Sequence, residues 1–415
     1  MSNPPDDIAS VPFQILVAAP GEAERWTEVV AAGRALSTEP FASERTAVLE
    51  ALSQELFAHP RLRRDPAGAA LGFWLRRSSL AALAADFHAY AGGKLLVPAG
   101  LAFHVTPANV DTMFLYSWAL SYLAGNANIV RLTTRSSPLL DDLLAVLAAV
   151  FARSGEAGRG NLFLTYGHDD AMSARLSAGC DVRMVWGGDE TVRRLRAVPL
   201  NPHAAERAFA SKRSLSAVAA AAYAALDDAG REKLAERMAA DLAPFGQMAC
   251  SSPHVLYWIG PAEKGRAFAA DFSARLERAM AAKSTGADPG WAVRRINFAF
   301  AAAASGTASS LRHRPHTTTV VAAASGSAEP AETCGAGLLN HALGATLEEL
   351  ATGLRPEHQT ITHFGLADAE RDRLARLAGR AGADRVVPIG RALDFGATWD
   401  GYNLWADLTR SVVVQ

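Results

Sequence analysis

Short runs of β-branched and aromatic residues, LAFHV (Leu101 to Val105), NIVRL (Asn128 to Leu132), NLFLTY (Asn161 to Tyr166) and VRMVW (Val182 to Trp186), alternate with alanine- and leucine-rich stretches. This rhythm restricts the fold more than any other feature, because parallel strands need a crossover between them, usually a helix. Asp111 to Gly125 and Pro138 to Ala152 are each long enough for one. The expectation is a doubly wound nucleotide-binding domain. After a helix-rich region around Asp227 to Ala243, a second series predicts a further α/β domain: HVLYWIG (His254 to Gly260), INFAF (Ile296 to Phe300), TTTVVAA (Thr317 to Ala323), QTITHFG (Gln359 to Gly365) and RVVPIG (Arg385 to Gly390). From Ala23 to Tyr90 the apolar spacing is three and four, a helical preface with caps expected at Thr38 and Ser43. A boundary is expected near Asn201 to Ser214, where NPH and a cluster of charges break the pattern.

With 415 residues, half of them hydrophobic, the chain can bury substantial cores. Lysine plus arginine (41) nearly cancels aspartate plus glutamate (42), so no global basic field recruits nucleic acid or an anionic membrane, and any anion site must be local. Three scattered cysteines, Cys180, Cys250 and Cys334, form no disulfide framework and no metal-ligand spacing, which suits a reducing cytoplasm. The opening MSNPPDDIASVPF has neither the basic nor the apolar region of a signal peptide. The longest apolar stretch, Thr112 to Ala124, is interrupted by Tyr116, Ser117 and Ser121 and falls short of the roughly 20 residues a membrane span needs.

Three segments could carry chemistry. VTPANV follows a predicted strand, and the Asn109 amide could donate to an oxyanion; it could equally cap a helix starting at Val110. Gly187 and Gly188 close the strand VRMVW and open the helix ETVRRLRAV, a place where backbone amides approach phosphate or where the chain merely turns. The pattern is not GxGxxG, so the usual pyrophosphate grip is not indicated. In FGQMACSSPH, Cys250 lies among small residues that would admit a substrate, against the alternative of an inert buried thiol. His254, four residues on, reads as a surface or capping residue, and Cys180 and Cys334 lack comparable companions.

In order and spacing these segments resemble the aldehyde dehydrogenase superfamily: TPANV, then ALSYLAGNANIVR (Ala119 to Arg131), WGGDET and FGQMACSSP. The closest likeness is to the LuxC-type acyl-CoA reductases, carried by FGQMACSSPH and the tail RVVPIGRALDFGATWDGYNLWADLTR (Arg385 to Arg410), over about Leu95 to Arg410. The resemblance implies an α/β, aldehyde dehydrogenase-like fold: a helical N-terminal segment over 1–90, a Rossmann-like nucleotide cofactor domain over 91–213, a catalytic domain over 214–390 and a C-terminal segment over 391–415.

It also implies a reaction. Cys250 would attack an acyl thioester of coenzyme A or a carrier, Asn109 would hold the oxyanion, and Thr106, Arg131, Gly187, Gly188 and Thr191 would bind the cofactor. Arg131 stands where the superfamily has a cofactor lysine, and with Arg193, Arg194 and Arg196 it could meet a 2′-phosphate; NADPH is expected, NADH being the alternative. Those three arginines could also be a solvated helix face paired with acids. Where classical aldehyde dehydrogenases carry a glutamate base, RAFASKRSLS (Arg207 to Ser216) places Phe209, although Glu206 is close enough to restore one under a shifted match. Three rivals remain: an ordinary aldehyde dehydrogenase forming an acid, a cysteine acyltransferase and a nucleotide-binding scaffold. Phe114, Trp118 and Trp258 could line an acyl tunnel or form core, and the strand-like RSVVVQ (Arg410 to Gln415) suggests a homo-oligomer in which it joins a neighbouring subunit's sheet.

Overall fold

The computed structural model describes residues 13–283, 289–324 and 334–414; the opening MSNPPDDIASVP and the final Gln415 lie outside the described residues. The chain forms two compact units, one of residues up to Ala210 together with Phe395 onward, the other of Ser211–Asp394.

The first unit is built on β1 (Gln14–Val17), β2 (Leu95–Pro98), β3 (Leu101–Val105), β4 (Ala127–Leu132), β5 (Asn161–Thr165), β6 (Val182–Trp186) and β7 (Ala205–Phe209). All but β2 form one sheet in the order β1-β5-β4-β3-β6-β7, parallel except for β1 against β5. The preface is therefore not purely helical, since its first described element is an edge strand of this sheet. Its helices Ser43–Ala58, Pro66–Trp74 and Arg77–Ala91 follow. Neither expected cap forms: Ala42 occupies the cap position of the first, and the hydroxyls of Thr38 and Ser43 bond to Glu39 instead of a helix end and to the adjacent Glu44.

The crossover helix Met113–Leu123 is largely apolar and buried all round. The polar tips of its large aromatic residues are paired: Tyr116 donates to Gly396 carbonyl, Tyr122 to Ala157 carbonyl, and Trp118 Nε1 to Asn161. The next crossover, Pro138–Phe151, has proline at its first turn and Ser137 capping Leu140 N–H. In the motif AGN, Gly125 has φ +92°, and Asn126 accepts from Gly100 N–H and donates to the carbonyls of Ser121 and Leu408. This motif fixes packing. The tail strand Thr409–Val412, expected on a neighbouring subunit, pairs antiparallel with β2 of its own chain.

The second unit contains β8 (Arg213–Ala219), β9 (Pro253–Ile259), β10 (Ala308–His313), β11 (Thr318–Ala322), β12 (Leu338–Gly344), β13 (His358–Phe364) and β14 (Arg385–Pro388). The order is β10-β11-β12-β9-β8-β13-β14, parallel except for β10. Both faces are apolar, as a parallel sheet covered on both sides requires. Leu256 and Trp258 face one core cluster with Met238 and Phe272; Val255 and Tyr257 face another with Ile361 and Leu374.

INFAF is not a strand. Ile296 to Phe300 lie within the helix Pro289–Ala304, whose buried Arg295 and Ala299 stand four apart. The Arg295 guanidinium donates to the carbonyls of Ala336 and Pro315, while Phe298 and Ala302 pack with Val320 and Leu338. The alternation of NFAF imitates a strand over five residues, but the deciding helical period is longer than that window.

Candidate active site

In the first unit the strand order reverses between the parallel neighbours β3 and β6, since the chain runs from β3 through β4 to β5 on one side and from β6 to β7 on the other, and α/β proteins bind ligands at the carboxyl ends of strands at such a switch point. Those ends carry the expected cofactor residues. The N–H and hydroxyl of Thr106 both donate to the Arg131 carbonyl, at 3.1 and 3.0 Å, tying the end of β3 to β4. Gly187 follows β6 and Gly188 caps the helix Asp189–Ala197, which contains Thr191. A Cβ on Gly187 would lie 3.0 Å from the Thr191 side chain, so only glycine closes the turn without displacement. A small pocket opens beside Thr106, lined by Thr106, Pro107, Val110, Asp111, Phe114, Leu132, Thr133 and Leu140.

Arg131 is mostly buried. Its Nη2 donates to the Tyr166 and Gly167 carbonyls at 3.1 and 3.3 Å, and the guanidinium lies 4.8 Å from the Tyr166 ring centre. Burial lowers its pKa from the ordinary arginine value, while its Nε has no hydrogen-bond partner. An arginine charge held in place with a buried donor unused, at the same carboxyl edge of the sheet as the Gly187–Gly188 turn, fits a phosphate-bearing dinucleotide. The helix arginines have acid or histidine partners: Arg193 with Glu190, Arg194 with Asp170 and His168, Arg196 with Glu206. Asn109 is exposed and is not a cap, because the following helix starts at Met113 with Thr112 in the cap position.

The possible bases are otherwise committed. Glu206 bonds the buried Arg183 through Nε at 2.7 Å and Nη2 at 2.5 Å. Phe209 ends β7, stacked on Trp186.

In the second unit Cys250 sits at the amino-terminal edge of the sheet, just before β9. The segment before it is rigidly turned: Phe245, Gly246 and Gln247 all have positive φ. The buried Gln247 side chain donates to the Pro253 and Leu338 carbonyls and accepts from Gly337 N–H. A Cβ on Gly246 would strike Trp291 at 2.4 Å. The glycine and glutamine of FGQMACSSPH therefore shape the loop. Ser252 donates to the Asp241 carbonyl, and the Asp241 carboxylate accepts from the N–H groups of Gly390 and Ala392, which links the loop to the tail motif RVVPIGRAL.

Cys250 is half-buried, whereas Cys180 and Cys334 are buried. Burial pushes the Cys180 thiol up to about 12 and raises that of Cys334 as well, so both are inert as thiolates. His254 is neither surface residue nor cap: it is buried in β9, and burial lowers its pKa to about 4, leaving it neutral at pH 7. Sequence reading missed three residues here. Ser214 donates to the Cys250 carbonyl at 2.7 Å, Thr360 N–H donates to Ser214 Oγ at 3.1 Å, and Gln359 Nε2 donates to Cys250 Sγ at 3.3 Å. QTITHFG read only as a strand, and nothing local marks its first residue as a partner of a thiol 109 positions away. Phe114, Trp118 and Trp258 are buried core residues.

The two units together have the fold of the aldehyde dehydrogenases. Similar solved structures include aldehyde dehydrogenase 21 from Physcomitrella patens (TM-score 0.65, 12% identity, 94% of this chain and 88% of that one). Others are a salicylaldehyde dehydrogenase from Pseudomonas putida G7 (0.64, 13%, 96% and 94%) and an NAD-dependent benzaldehyde dehydrogenase from Corynebacterium glutamicum (0.62, 12%, 97% and 94%). No curated protein matches the chain. The family model for acyl-CoA reductase (LuxC) matches residues 86–411, and the chain belongs to that family. Membership makes it an oxidoreductase of acyl and aldehyde groups. Among the described residues no helix is long and apolar enough to cross a membrane.

Proposed function

We propose that the protein reduces an acyl thioester, of coenzyme A or a carrier, to the free aldehyde through an acyl enzyme on Cys250. The observation that carries this reading is the state of the three thiols: Cys250 alone is partly accessible and holds a side-chain donor at its sulfur, while the other two are buried.

The Cys250 thiolate attacks the thioester carbonyl, and Asn109 with the Cys250 backbone amide carries the charge of the tetrahedral oxyanion, donors of a kind worth a hundredfold or more in rate. The C–S bond to the donor thiol breaks, that thiol leaves with a proton, and the acyl group stays on Cys250. A reduced nicotinamide dinucleotide, when bound, supplies the hydride that turns this acyl thioester into a thiohemiacetal. Collapse of the thiohemiacetal breaks the bond to Sγ, frees the aldehyde and restores the thiolate.

Thr106, Arg131, Gly187, Gly188 and Thr191 would hold the dinucleotide. NADPH is the proposed form, on the strength of Arg131, since Arg193, Arg194 and Arg196 are engaged with their own partners. The engagement of Glu206 with Arg183, and a phenylalanine at 209, support an acyl enzyme protected from hydrolysis.

Aldehyde and oxidised cofactor are incubated with and without coenzyme A. Cofactor reduction should require the thiol and yield acyl-CoA; rapid acid formation without it would place the protein with ordinary aldehyde dehydrogenases.

A further inference from the structure

We infer that Gln359 is a catalytic residue whose carboxamide acts directly on the Cys250 sulfur, holding it ionised before attack and receiving it again when the aldehyde leaves. The inference rests on Cys250 being the nucleophile of the proposed reaction.

The geometry comes first. Gln359 is 3% exposed at the start of β13, and its Nε2 lies 3.3 Å from Sγ. The Thr360 hydroxyl donates to Gln359 Oε1 at 3.4 Å, in the orientation that turns the amide N–H towards the sulfur. The Gln359 carbonyl accepts from Asp384 N–H at 2.9 Å, which fixes the backbone below it. Meanwhile Ser214, held by Thr360 N–H, fixes the cysteine carbonyl. Residues 359 and 360 thus control both ends of the nucleophile.

The chemistry follows from what sulfur accepts. A thiol is a weak acceptor, a poor partner for an almost fully buried amide N–H. A thiolate makes a charge-assisted bond and repays the burial. The N–H therefore favours the ionised form, which lowers the thiol pKa. Once the sulfur is acylated it loses that charge and the bond weakens; when the thiohemiacetal collapses, the charge returns and the N–H stabilises the leaving thiolate.

Charged and titratable groups also stand on the elements around this loop: Arg213 at the start of β8 with Lys212 just before it, His254 on β9, His358 on β13, Asp384 before β14 and Asp241 behind Ser252. Substituting Gln359 leaves these in place, so a comparison between variants isolates the amide.

The test is the pH profile of Cys250 alkylation by iodoacetamide in the full chain, with the adduct located by peptide mass spectrometry, for the wild type, Gln359→Leu and the isosteric Gln359→Glu. Losing one donor should raise the thiol pKa by about one unit, cutting the thiolate fraction about tenfold below it. The more basic thiolate is about threefold more nucleophilic. The Gln359→Leu profile should therefore cross that of the wild type, about threefold slower at low pH and about threefold faster on the alkaline plateau. Gln359→Glu, which places a carboxylate beside the sulfur, should shift the profile further in the same direction. Profiles that coincide with the wild type in both variants, while wild-type Cys250 still takes an acyl group from acyl-CoA, overturn the role of Gln359 alone. Crossing profiles in a protein that takes no acyl group would instead uphold the amide's effect on the thiol and overturn the proposed reaction.

Discussion

The ring of Phe209 lies flat on that of Trp186, with centroids 3.7 Å apart and planes 10° from parallel. The two residues are register partners at the ends of β7 and β6, and Trp186 is itself anchored by its Nε1 donating to Ser117. Phe209 stands near the position that the aldehyde dehydrogenase likeness assigns to a glutamate base. A stacked aromatic pair there stabilises the sheet end and supplies no proton acceptor.

Glu206, the nearest candidate for that base, has a structural task. Glu206→Gln leaves the Arg183 guanidinium, whose side chain is 2% exposed, without its anionic partner. The expected cost is on the order of 3 kcal/mol, the usual consequence of breaking a buried pair. Calorimetry should show a lowered melting temperature, while the rate of acid formation from an acyl thioester stays at its wild-type value; a selective loss of hydrolysis in a stable variant would make Glu206 the base.

Gly125 cannot accept a side chain. A Cβ there would lie 2.1 Å from the Thr38 carbonyl oxygen, on a backbone with φ +92°. Gly93, at φ +84°, has nothing within 4 Å of its Cβ position. Gly125→Ala and Gly93→Ala share the cost of a positive φ, roughly 1 kcal/mol, so the additional loss in Gly125→Ala measures the steric conflict and should reach about 2 kcal/mol or more in thermal unfolding.

His104 links acid sensitivity to the first unit. Its ring bonds Ser117 at 2.7 Å and Asn128 at 3.1 Å, and burial lowers its pKa to about 4, against 6.5 ordinarily. A lowered histidine pKa means the unfolded chain binds the proton first, so its stabilising contribution is full above about 6.5 and is lost as the pH falls towards 4. By pH 5 the loss from this group is about 2 kcal/mol. His104→Gln should be less stable at pH 7 yet lose less between pH 7 and pH 5, followed by the fluorescence of the nearby Trp186.

Much of the fold is legible in the sequence alone. The strands LAFHV and VRMVW have the bounds read from their composition, and the proline at 138 marked its helix start, because each depends on residues within one turn or strand. LLNHALG escaped notice as β12, since Asn340, His341 and Gly344 break its apolar run; His341 is buried there and accepts from Trp258 Nε1 at 3.0 Å. The helix over Ile296 to Phe300 is set by Arg295 meeting carbonyls some 20 and 40 residues away. Gln359 belongs to the same class. Parallel topology delivers it to Cys250, and topology is not written in any short window.

The central claim is that Cys250 carries the acyl group, and intact-mass analysis of the protein mixed with acyl-CoA of several lengths tests it most directly. The wild type should gain the mass of one acyl group, Cys250→Ala should gain none, and NADPH should remove the adduct as aldehyde appears. An unmodified wild type, an adduct that survives in Cys250→Ala, or one that NADPH fails to discharge would contradict it.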